Sequence, residues 1–502
     1  MSKYYANGAV WGSATSGSES YEPLMRGDRV DVAIIGGGIT GITAAFNLVK
    51  RGLKVAVIEA GKVGMGSTGS STGNLYVPTG KFHTILSKHG QKTLDEVIRS
   101  RSSALEFIAD RVAEFSINCS FHRVPWYYFA TKEKDAREID KERDAIKSSG
   151  METIDNVPSG FPFPVKSVIK VENQAQFNPL QYVKKLAASI AGENCRIYEN
   201  SRVTAVTDGD PCLVETHMGV ITAGKVIHAT HTPKGIYAVH AMMEVYREYA
   251  VAARLNVQLE PGIYWLNDEN EKYSIRTYTN ETGSYLIVLD DKHKTGHKED
   301  TTTSFAKIGD YIKSVFNTED IIYRWAAQNY SPADNLPYIG TSPLQKNTYI
   351  ATGFEADGLV YGTAAAMIIS DIITGRLNSS SAVYDPKRFT PAASAKKTLK
   401  ENLDVITHLV NDYVIKEPAK LSSIMRGEGR IVEIKGKMAA ASRDDSGNLQ
   451  IVSAVCPHLG CQVHWNIAEK SWDCPCHGSR FAADGSFLEG PAFSDLEKFP
   501  QE

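Results

Sequence analysis

Apolar runs and one glycine-rich turn predict a strand, a helix and a second strand near the start of the chain. Residues 31–35 (DVAII) are apolar and β-branched, which favours a buried strand. The turn GGGITG follows at 36–41 and leads into a helix-like apolar spacing. Residues 54–60 (KVAVIEA) then form the next apolar run. This order is typical of a βαβ unit with parallel strands.

The later pattern predicts two further kinds of sheet. EVYREYAVAARL, YSIRTYT and GSYLIVLDDK alternate or run apolar as strands do, and predict a mostly antiparallel sheet. Residues 347–375 indicate a strand, a glycine-bearing turn and a long helix that begins near Gly358. Short strands with turn glycines from residue 428 onward predict a small all-β domain. The expected fold class is therefore α/β, with an α+β part interleaved and an all-β domain at the end.

The first glycine turn has the spacing of a dinucleotide site. Gly36-x-Gly38-x-x-Gly41 lets the chain turn sharply, approach a pyrophosphate and pack a helix closely on the sheet. Glu59 ends the second strand, where its carboxylate can accept hydrogen bonds from ribose hydroxyls. A second match to the spacing at residues 64–69 lacks the flanking strand and helix, and is interpreted as a loop.

Composition argues against several other partners. The chain of 502 residues has 55 basic and 58 acidic residues, a net charge of −3, which gives no reason to expect nucleic acid or an anionic membrane as partner. No apolar stretch is long enough for a membrane span, and the first residues lack a signal-peptide pattern, so we expect a cytoplasmic protein with a small-molecule substrate.

Three scattered cysteines, Cys119, Cys195 and Cys212, are expected to be buried thiols.

The first 380 residues resemble a known family of flavoenzymes. The glycine turn, the Ser/Thr/Gly loop after Glu59, the D-x-x-P-Y-I-G run at 334–340 and the TGF-x-x-x-G-L run at 352–359 are similar to FAD-dependent oxidoreductases of the D-amino-acid oxidase superfamily, which includes glycine and sarcosine oxidases. The resemblance implies a Rossmann-type FAD-binding domain and a substrate domain. It implies these residues at FAD: Gly36, Gly38, Gly41, Glu59, Ser67, Thr68, Val203, Ala229, Thr230, Gly353, Gly358 and Leu359.

The substrate pocket departs from the family pattern. The amino-acid oxidases carry a carboxylate-binding Arg just before the D-x-x-P-Y-I-G run, where this chain has Asn329 and Tyr330. An α-amino acid is therefore not the expected substrate. The region has no cysteine for a covalent flavin bond, which favours non-covalent FAD. The candidate pocket residues are Arg276, Tyr278, Arg324 and Tyr330.

Four of the seven cysteines lie in the boxes CPHLGC and CPCHGS between residues 456 and 479. Zinc could use the same ligand types, and a disulfide knot is a further alternative. The two boxes resemble the loops of a Rieske [2Fe–2S] domain. That resemblance implies Cys456, His458, Cys474 and His477 as iron ligands and a disulfide between Cys461 and Cys476.

Two residues after the second box bear on the potential of a Rieske cluster. By the same resemblance, Ser479 is expected to donate a hydrogen bond to cluster sulfur. Phe481 stands where respiratory Rieske proteins have a second donor, a tyrosine. Because a missing donor stabilises the reduced cluster less, we expect a lower potential than in those proteins.

A Rieske domain also occurs in oxygenases, which need a mononuclear iron held by two His and a carboxylate. Asp290, Asp291, His293 and His297 have suitable local spacing, but the position of the domain in the chain and the loop around Gly296 disfavour this alternative.

The expected organisation follows from these motifs. It comprises an N-terminal arm (1–30), a FAD-dependent oxidoreductase (31–383, with FAD-binding parts at about 31–80, 195–235 and 335–380), a helical linker (384–420) and a Rieske domain (421–502). The expected enzyme is a dehydrogenase that oxidises an amine, imino or N-alkyl amino compound by hydride transfer to FAD. Its cluster passes single electrons to an external acceptor, a protein or a quinone. Reverse electron flow and a non-catalytic electron-transfer or redox-sensing module are the alternatives.

Overall fold

A computed structural model describes residues 7–14, 20–157, 161, 163–235, 237–255, 259–269, 271–298, 300–318, 320–388 and 419–499. The expected linker helix, centred on residues 399–413, lies outside the described residues. The α-helices are α1 (Ile39–Val49), α2 (Phe82–His89), α3 (Gln91–Glu114), α4 (Glu133–Ser148), α5 (Pro179–Ile190), α6 (Thr302–Phe316), α7 (Gly358–Ile373) and α8 (Ser381–Tyr384). Within the described ranges, three short 3-10 helices cover Val10–Ala14, Ala238–Met242 and Leu421–Ser423.

The strands fall into four sheets. They are β1 (Asp28–Ile35), β2 (Val55–Ile58), β3 (Asn74–Leu75), β4 (His122–Ala130), β5 (Ser167–Gln176), β6 (Cys195–Tyr198), β7 (Val203–Thr207), β8 (Cys212–Thr216), β9 (Val220–His228), β10 (Met243–Arg254), β11 (Ile263–Asp268), β12 (Glu271–Asn280), β13 (Gly283–Lys294), β14 (Ile321–Pro332), β15 (Tyr338–Thr341), β16 (Thr348–Thr352), β17 (Gly429–Ile434), β18 (Lys437–Arg443), β19 (Leu449–Ser453), β20 (His464–Asn466), β21 (Ser471–Asp473), β22 (Arg480–Ala482) and β23 (Phe487–Glu489).

The first sheet has the predicted parallel core. Its order is β15-β16-β9-β1-β2-β6, and β7 and β8 attach beside β9. Strand β1 pairs in parallel with both β2 and β9. Residues 32–35 and 55–58 are buried, as expected for strands that are covered on both faces. Helices α1 and α7 pack against each other, so the two predicted glycine turns meet at one end of this sheet.

The second sheet is mostly antiparallel, as the strand pattern predicts. Its order is β14-β10-β13-β12-β11-β4-β5-β3, with one parallel pairing between β11 and β4. One face packs on α6, through a core that includes Phe305 and Ile308. The other face carries Ala250, Ala252 and Trp325 and packs against the N-terminal Val10 and Trp11. That second face turns toward the first sheet.

The C-terminal domain is small and all-β. Strands β17-β18-β19 form one antiparallel sheet and β20-β21-β22-β23 another. Its core gathers the cysteines of both boxes around Trp472 and Phe481. Among the described residues, none of the helices combines the length and the hydropathy needed to cross a membrane.

Candidate functional site

A cavity of about 280 Å³ opens where the first sheet, the second sheet and the C-terminal domain meet. Ten of the residues expected at FAD line it: Gly36, Gly38, Glu59, Ser67, Thr68, Val203, Ala229, Thr230, Gly358 and Leu359. They come from segments far apart in the sequence, at the ends of strands of one sheet and at the start of α7. The fold thus collects one elongated site of the kind a dinucleotide needs.

The glycine turn leaves room for backbone but not for side chains. Gly36 has a φ of +107°, and a Cβ there would lie 2.6 Å from the carbonyl oxygen of Ala229. A Cβ at Gly38 would meet the Thr68 hydroxyl at 3.1 Å. The Thr68 hydroxyl accepts from the Ile39 N–H at 3.0 Å, which joins the loop to the start of α1. This open cradle fits a pyrophosphate at a helix N-terminus.

Two of the glycines expected at FAD, Gly41 and Gly353, do not line the cavity but lie behind the residues that do. A Cβ at Gly41 would lie 1.9 Å from the carbonyl oxygen of Gly36, so only glycine lets α1 lie this close to the turn. Gly353 has a φ of +79°, and a Cβ there would lie 2.7 Å from Pro332. Both glycines therefore act through close packing of the backbone.

Glu59 lies at the end of β2, where its carboxylate reaches the cavity. One oxygen accepts from the Gly37 N–H at 2.7 Å and the other from the Gly61 N–H at 2.8 Å. Burial raises the pKa of Glu59, and the two backbone donors oppose that rise. The carboxylate is held in place to accept from hydroxyl groups of a bound ribose.

Of the four candidate pocket residues, the structure places Tyr330 on the cavity wall. Arg276 is buried instead beneath the loop, where it donates to the carbonyl oxygens of Thr72 and Gly73, each at 2.8 Å. It therefore supports the loop whose residues 66–68 and 70–72 line the cavity.

Tyr278 and Arg324 also lie outside the cavity lining that the described residues form. The Tyr278 ring packs edge-on against Trp11 at 4.7 Å, and its hydroxyl accepts from Asn178. The backbone of Arg324 pairs with Asn7 in the N-terminal arm. The expectation that these two residues and Arg276 line the pocket is corrected: the side chains of Arg276 and Tyr278 pack elsewhere, and Arg324 lies outside the described lining.

Several charged residues of the cavity were not anticipated from sequence. Glu355 lines it and pairs with Lys81, and its second oxygen accepts from Ser331 at 3.2 Å. Glu248 lines it from β10. Lys234 lines it as well and donates to the Gly490 carbonyl oxygen, while burial lowers the pKa of its ammonium to about 7. In the sequence, Lys234 belongs to the stretch ATHTPKG, which follows β9 and begins with the expected flavin residues Ala229 and Thr230. This position was the only sequence feature that pointed to Lys234.

Next to the flavin residues lies an uncharged histidine. His231 lines the cavity, and its Nδ1 lies 3.0 Å from the Ser67 hydroxyl. Its ring meets the Tyr330 ring edge-on, with centroids 4.9 Å apart. Burial lowers the pKa of His231 to about 4, so its imidazole is neutral at neutral pH.

The two boxes of the C-terminal domain come together as predicted. Cys461 and Cys476 form a disulfide. Cys456 and Cys474 are free thiols and are buried. The Ser479 hydroxyl accepts from the Ala492 N–H at 3.2 Å. Since Cys461 and Cys476 bond each other, the pair of thiols left to hold iron is Cys456 and Cys474.

His458 and His477 face each other with ring centroids 5.0 Å apart. His458 donates from Nε2 to the carbonyl oxygen of Gly235 at 3.2 Å, which leaves the lone pair of Nδ1 for a metal. The Nδ1 of His477 is buried without a hydrogen-bond partner. Burial lowers the pKa of both imidazoles, that of His477 to about 4, so both are neutral as metal ligands must be. Two thiols and two open imidazole nitrogens fit a Rieske cluster.

The flavoprotein part covers the face of the C-terminal domain that carries these histidines. His240 lies with its ring centroid 5.2 Å from that of His458 and 6.3 Å from that of His477. His458 and His477 are each 8% exposed. The ligand edge is thus buried against Gly235 and His240.

A buried ion network holds the two parts together. Arg247 on β10 pairs with Glu469 and with Glu489, the latter at 2.6 Å. Arg480 on β22 pairs with the same two carboxylates and with Asp473 at 2.8 Å. Burial alone would raise the pKa of Glu469, but Arg247 and Arg480 outweigh it and hold that pKa well below its usual range.

The interface also reaches the cavity itself. Residues 487–490, 492 and 493 of the C-terminal domain line the cavity together with the flavoprotein segments. Elsewhere His464 donates to the Gly296 carbonyl oxygen at 2.7 Å, and Thr301 donates to Asn466 at 2.7 Å. Sequence reasoning missed this docking because its partners are far apart in the chain.

The oxygenase alternative finds no support in the described residues. Asp290 pairs with Lys307, the His293 ring stacks on Tyr249, and His297 lies against Pro475. Among the described residues, the ligand atoms of Asp290, His293 and His297 do not gather into one group.

The three scattered cysteines are buried thiols, as expected. Burial raises the pKa of Cys119 and of Cys195 to about 12, which keeps both protonated and unreactive.

Comparison with known proteins agrees with both halves of the site. The family model for FAD dependent oxidoreductases matches residues 31–372, and the Rieske [2Fe-2S] domain model matches residues 412–500. The chain is 33% identical over 489 residues to YhfW of Bacillus subtilis, described as a Rieske 2Fe-2S iron-sulfur protein, with 95% of each chain covered. It is 23% identical to gamma-glutamylputrescine oxidoreductase of Escherichia coli, over 71% of this chain and 86% of that one.

Glycine oxidase from Geobacillus kaustophilus has a similar fold, with a TM-score of 0.60 and 17% identity, over 72% of this chain and 99% of that one. The geometry of the cavity and the two family matches lead to the same conclusion. This chain belongs to the FAD-dependent oxidoreductase family of the D-amino-acid oxidase type and carries a C-terminal Rieske [2Fe–2S] domain.

Proposed function

We propose that the chain is a dehydrogenase that oxidises a small amine, imino or N-alkyl amino compound and passes the electrons singly to an external acceptor. One observation carries the proposal. The domain that holds the cluster ligands also closes the flavin cavity, through residues 487–490, 492 and 493. A substrate-oxidising site and a one-electron carrier are therefore neighbours within one chain.

Residue assignments follow from this arrangement. We assign FAD to the cavity lined by Gly36, Gly38, Glu59 and the other residues named above, and iron to Cys456, His458, Cys474 and His477. The oxidoreductase part covers residues 31–383 and the cluster domain residues 421–502. Bound FAD supplies a hydride acceptor, and a bound [2Fe–2S] cluster supplies a one-electron carrier.

The chain's own groups prepare the cavity for this chemistry. The N-terminus of α7 begins at Gly358 on the cavity wall, where free N–H groups favour electron-rich ring atoms. Asp357, just before it, is fixed by the Tyr76 hydroxyl and by Arg101. Phe487 and Phe493 of the C-terminal domain add apolar surface to the cavity wall. The cavity is thus preorganised by residues of both domains.

Chemical likeness supports a C–N bond as the target. A relative of this chain is named gamma-glutamylputrescine oxidoreductase, and a structural neighbour is a glycine oxidase. Both names describe oxidation or reduction of amino compounds. Asn329 stands near the position where amino-acid oxidases carry a carboxylate-binding Arg, which favours amines without that carboxylate.

Anaerobic substrate screening tests the proposal. Purified holoenzyme is mixed with a panel of amines, N-methyl amino acids and imino acids, and flavin bleaching is followed by absorbance. Samples are then frozen to record the Rieske EPR signal. We expect one class of the panel to bleach the flavin first and produce the EPR signal afterwards. NADH alone is expected to bleach neither cofactor rapidly.

Two outcomes would contradict the proposal. Reduction of the cluster by a chemical donor, followed by flavin-dependent reduction of an imine but never oxidation of an amine, would establish the opposite direction of flow. Cluster reduction without any substrate-dependent flavin change across the panel would leave a non-catalytic electron-transfer module.

A further inference from the structure

One wall of the cavity pairs a carboxylate with a carboxamide. On the antiparallel strands β10 and β14, Glu248 is opposite Ala327 and Tyr246 is opposite Asn329. Glu248 and Asn329 are therefore diagonal neighbours on the same face, about 7–8 Å apart at their backbones. Both line the cavity, and Leu289 of the next strand forms an apolar floor beside them.

The amide of Asn329 is in an unusual state. The residue is 3% exposed, and both its amide oxygen and its amide nitrogen are buried without a hydrogen-bond partner. A buried polar group left unpaired destabilises a fold, so native proteins pair almost all of them. An amide that lines a cavity and lacks partners within the chain is placed to pair with a ligand.

Of the two carboxylates Glu355 and Glu248, only that of Glu248 lacks a strong partner among the described residues and can pair with a ligand. Glu355 is already compensated by Lys81 and Ser331. Glu248 has Lys292 as its ion-pair partner at 3.8 Å, and that lysine side chain is 35% exposed, so the pairing is weak.

The cations that line the cavity are engaged elsewhere. Arg202 pairs with Asp495 and donates to the Phe487 carbonyl oxygen, and Lys234 donates to the Gly490 carbonyl oxygen. Both therefore bind the C-terminal domain. Within the described lining, the wall of Glu248 and Asn329 offers a carboxylate, an amide and an apolar floor, but no guanidinium or ammonium to receive a carboxylate.

We propose that the substrate is an amine that binds as a cation and has no carboxylate next to its nitrogen, with Glu248 pairing its ammonium and Asn329 bonding its polar hydrogens or a neighbouring acceptor. This inference rests on the proposed function and narrows its substrate class. Amino acids are excluded because their carboxylate would face Glu248 without a partner. The apolar floor at Leu289 suits a hydrocarbon carbon skeleton.

Two probes of equal shape and opposite charge test the inference on the holoenzyme. tert-Butylamine is a cation without a hydrogen on the carbon that bears nitrogen, so it binds without being oxidised, and pivalate is its carboxylate counterpart. Binding is measured by calorimetry and by the change in flavin absorbance. We expect tert-butylamine to bind about tenfold or more tightly than pivalate, as for a charge-assisted hydrogen bond.

Three variants locate the effect. Glu248→Gln should weaken tert-butylamine binding about tenfold or more and bring the two probes close together. Asn329→Leu should weaken amine binding while the melting temperature of the ligand-free holoenzyme stays the same or rises, because an unpaired buried amide is removed. Glu244→Gln, on the same strand but paired with Lys294 outside the cavity lining, is the matched control and should leave binding unchanged.

The outcomes separate this inference from the proposed function. Tighter binding of pivalate, or unchanged amine binding in folded Glu248→Gln with a normal Rieske EPR signal, would overturn the cation site. If tert-butylamine binds through Glu248 yet no amine in the screen bleaches the flavin, the cation site stands and the proposed dehydrogenase activity fails.

Discussion

The side-chain amide of Gln328 donates to the carbonyl oxygen of Gly478 at 2.8 Å. Gln328 lines the flavin cavity and also donates to the Tyr330 hydroxyl at 2.8 Å, while Gly478 directly follows the cluster ligand His477. One side chain therefore connects the wall of the cavity to a cluster loop.

Removing this connection should slow communication between the two cofactors. In Gln328→Leu the Gly478 carbonyl loses its donor while the shape of the side chain is largely kept. We expect the step that reduces the cluster after the flavin is bleached to slow severalfold, and this step is compared separately from the rate of bleaching. Anaerobic stopped-flow absorbance at flavin and cluster wavelengths measures both steps. Equal cluster reduction rates in variant and parent would contradict a role for this contact.

Gly478 itself should be essential for docking. Its φ is +73°, and a Cβ there would lie 2.5 Å from Val245 of the flavoprotein part. Gly478→Ala should therefore separate the domains and lower FAD retention, because the C-terminal domain closes the cavity. Gly436→Ala is the matched control, since Gly436 has a φ of +78° with nothing within 4 Å of a Cβ. Both substitutions introduce about 1–2 kcal/mol of backbone strain. Only Gly478→Ala also introduces a steric clash.

Hydrogen exchange and FAD content distinguish these two glycine variants. We expect Gly478→Ala to expose the amides of Gly235 and residues 237–240 to exchange and to lose FAD on gel filtration. Gly436→Ala should keep both properties of the parent. The same exchange pattern in both variants would mean that the docking contact at Gly478 has no special role.

Arg247 is buried and should contribute strongly to stability because two partly buried carboxylates depend on it. Arg247→Met leaves Glu469 and Glu489 with Arg480 alone, and we expect a loss of about 3–5 kcal/mol in the free energy of unfolding. Arg254→Met removes an exposed pair with Asp320 at 3.7 Å and should cost less than about 1 kcal/mol. Urea unfolding followed by tryptophan fluorescence compares them.

The same network makes docking sensitive to acid. Burial of Glu469 and Glu489 acts to raise the pKa of each carboxyl group. Arg247 and Arg480 outweigh this effect and lower both pKa values below the ordinary value of 4.5. A carboxylate with a lowered folded pKa stabilises the fold above its unfolded pKa, and this stability is lost as pH falls through the folded pKa. Stability from this network should hold from pH 7 to about pH 5 and fall below about pH 4.5. If the network's contribution to the free energy of unfolding increased as the pH was lowered, this prediction would be wrong.

The cluster potential should respond to two neighbouring positions. The Rieske resemblance implies that Ser479 donates to cluster sulfur, so Ser479→Ala should lower the midpoint potential by removing a donor. Phe481 is fully buried in the core that contains the four cysteines of the boxes, and Phe481→Tyr should raise the potential if its hydroxyl reaches a sulfur. Redox titration monitored by EPR measures both. A midpoint in the parent as high as in respiratory Rieske proteins would contradict the expectation for Phe481.

The flavin cradle depends on a glycine, Gly41, that is not part of the cavity lining. Gly41→Ala should abolish FAD retention, because its Cβ would collide with the Gly36 carbonyl oxygen. Gly192→Ala, with nothing within 4 Å of a Cβ, should retain FAD. Flavin released on denaturation, measured by fluorescence, gives the FAD content of each variant.

Local motifs could be predicted from the sequence because each is set within a short segment. The turn at 36–41 and the acid Glu59 belong to one βαβ unit, and the two cysteine boxes carry their ligands at fixed spacing. The fold class and both cofactors followed from them and are confirmed by the family matches.

The pocket could not be predicted in the same way. The alternation of polar and apolar residues around Arg276 predicts a strand. It does not tell which face of that strand packs beneath the loop at Thr72, where the Arg276 side chain lies. Glu248 and Asn329 meet only through the pairing of β10 with β14, which depends on register across the sheet. Docking joins Arg247 to Glu489, residues brought together by the packing of two domains.

The histidines His458 and His477 face His240 of the same chain and are each 8% exposed. A redox partner that contacts the cluster through its imidazole edge finds that edge occupied as long as the domains are docked. In the docked arrangement this edge therefore faces the flavoprotein part and not an external partner. Under the proposed function, an acceptor that takes electrons at this edge would have to displace Gly235 and residues 237–240 from the C-terminal domain.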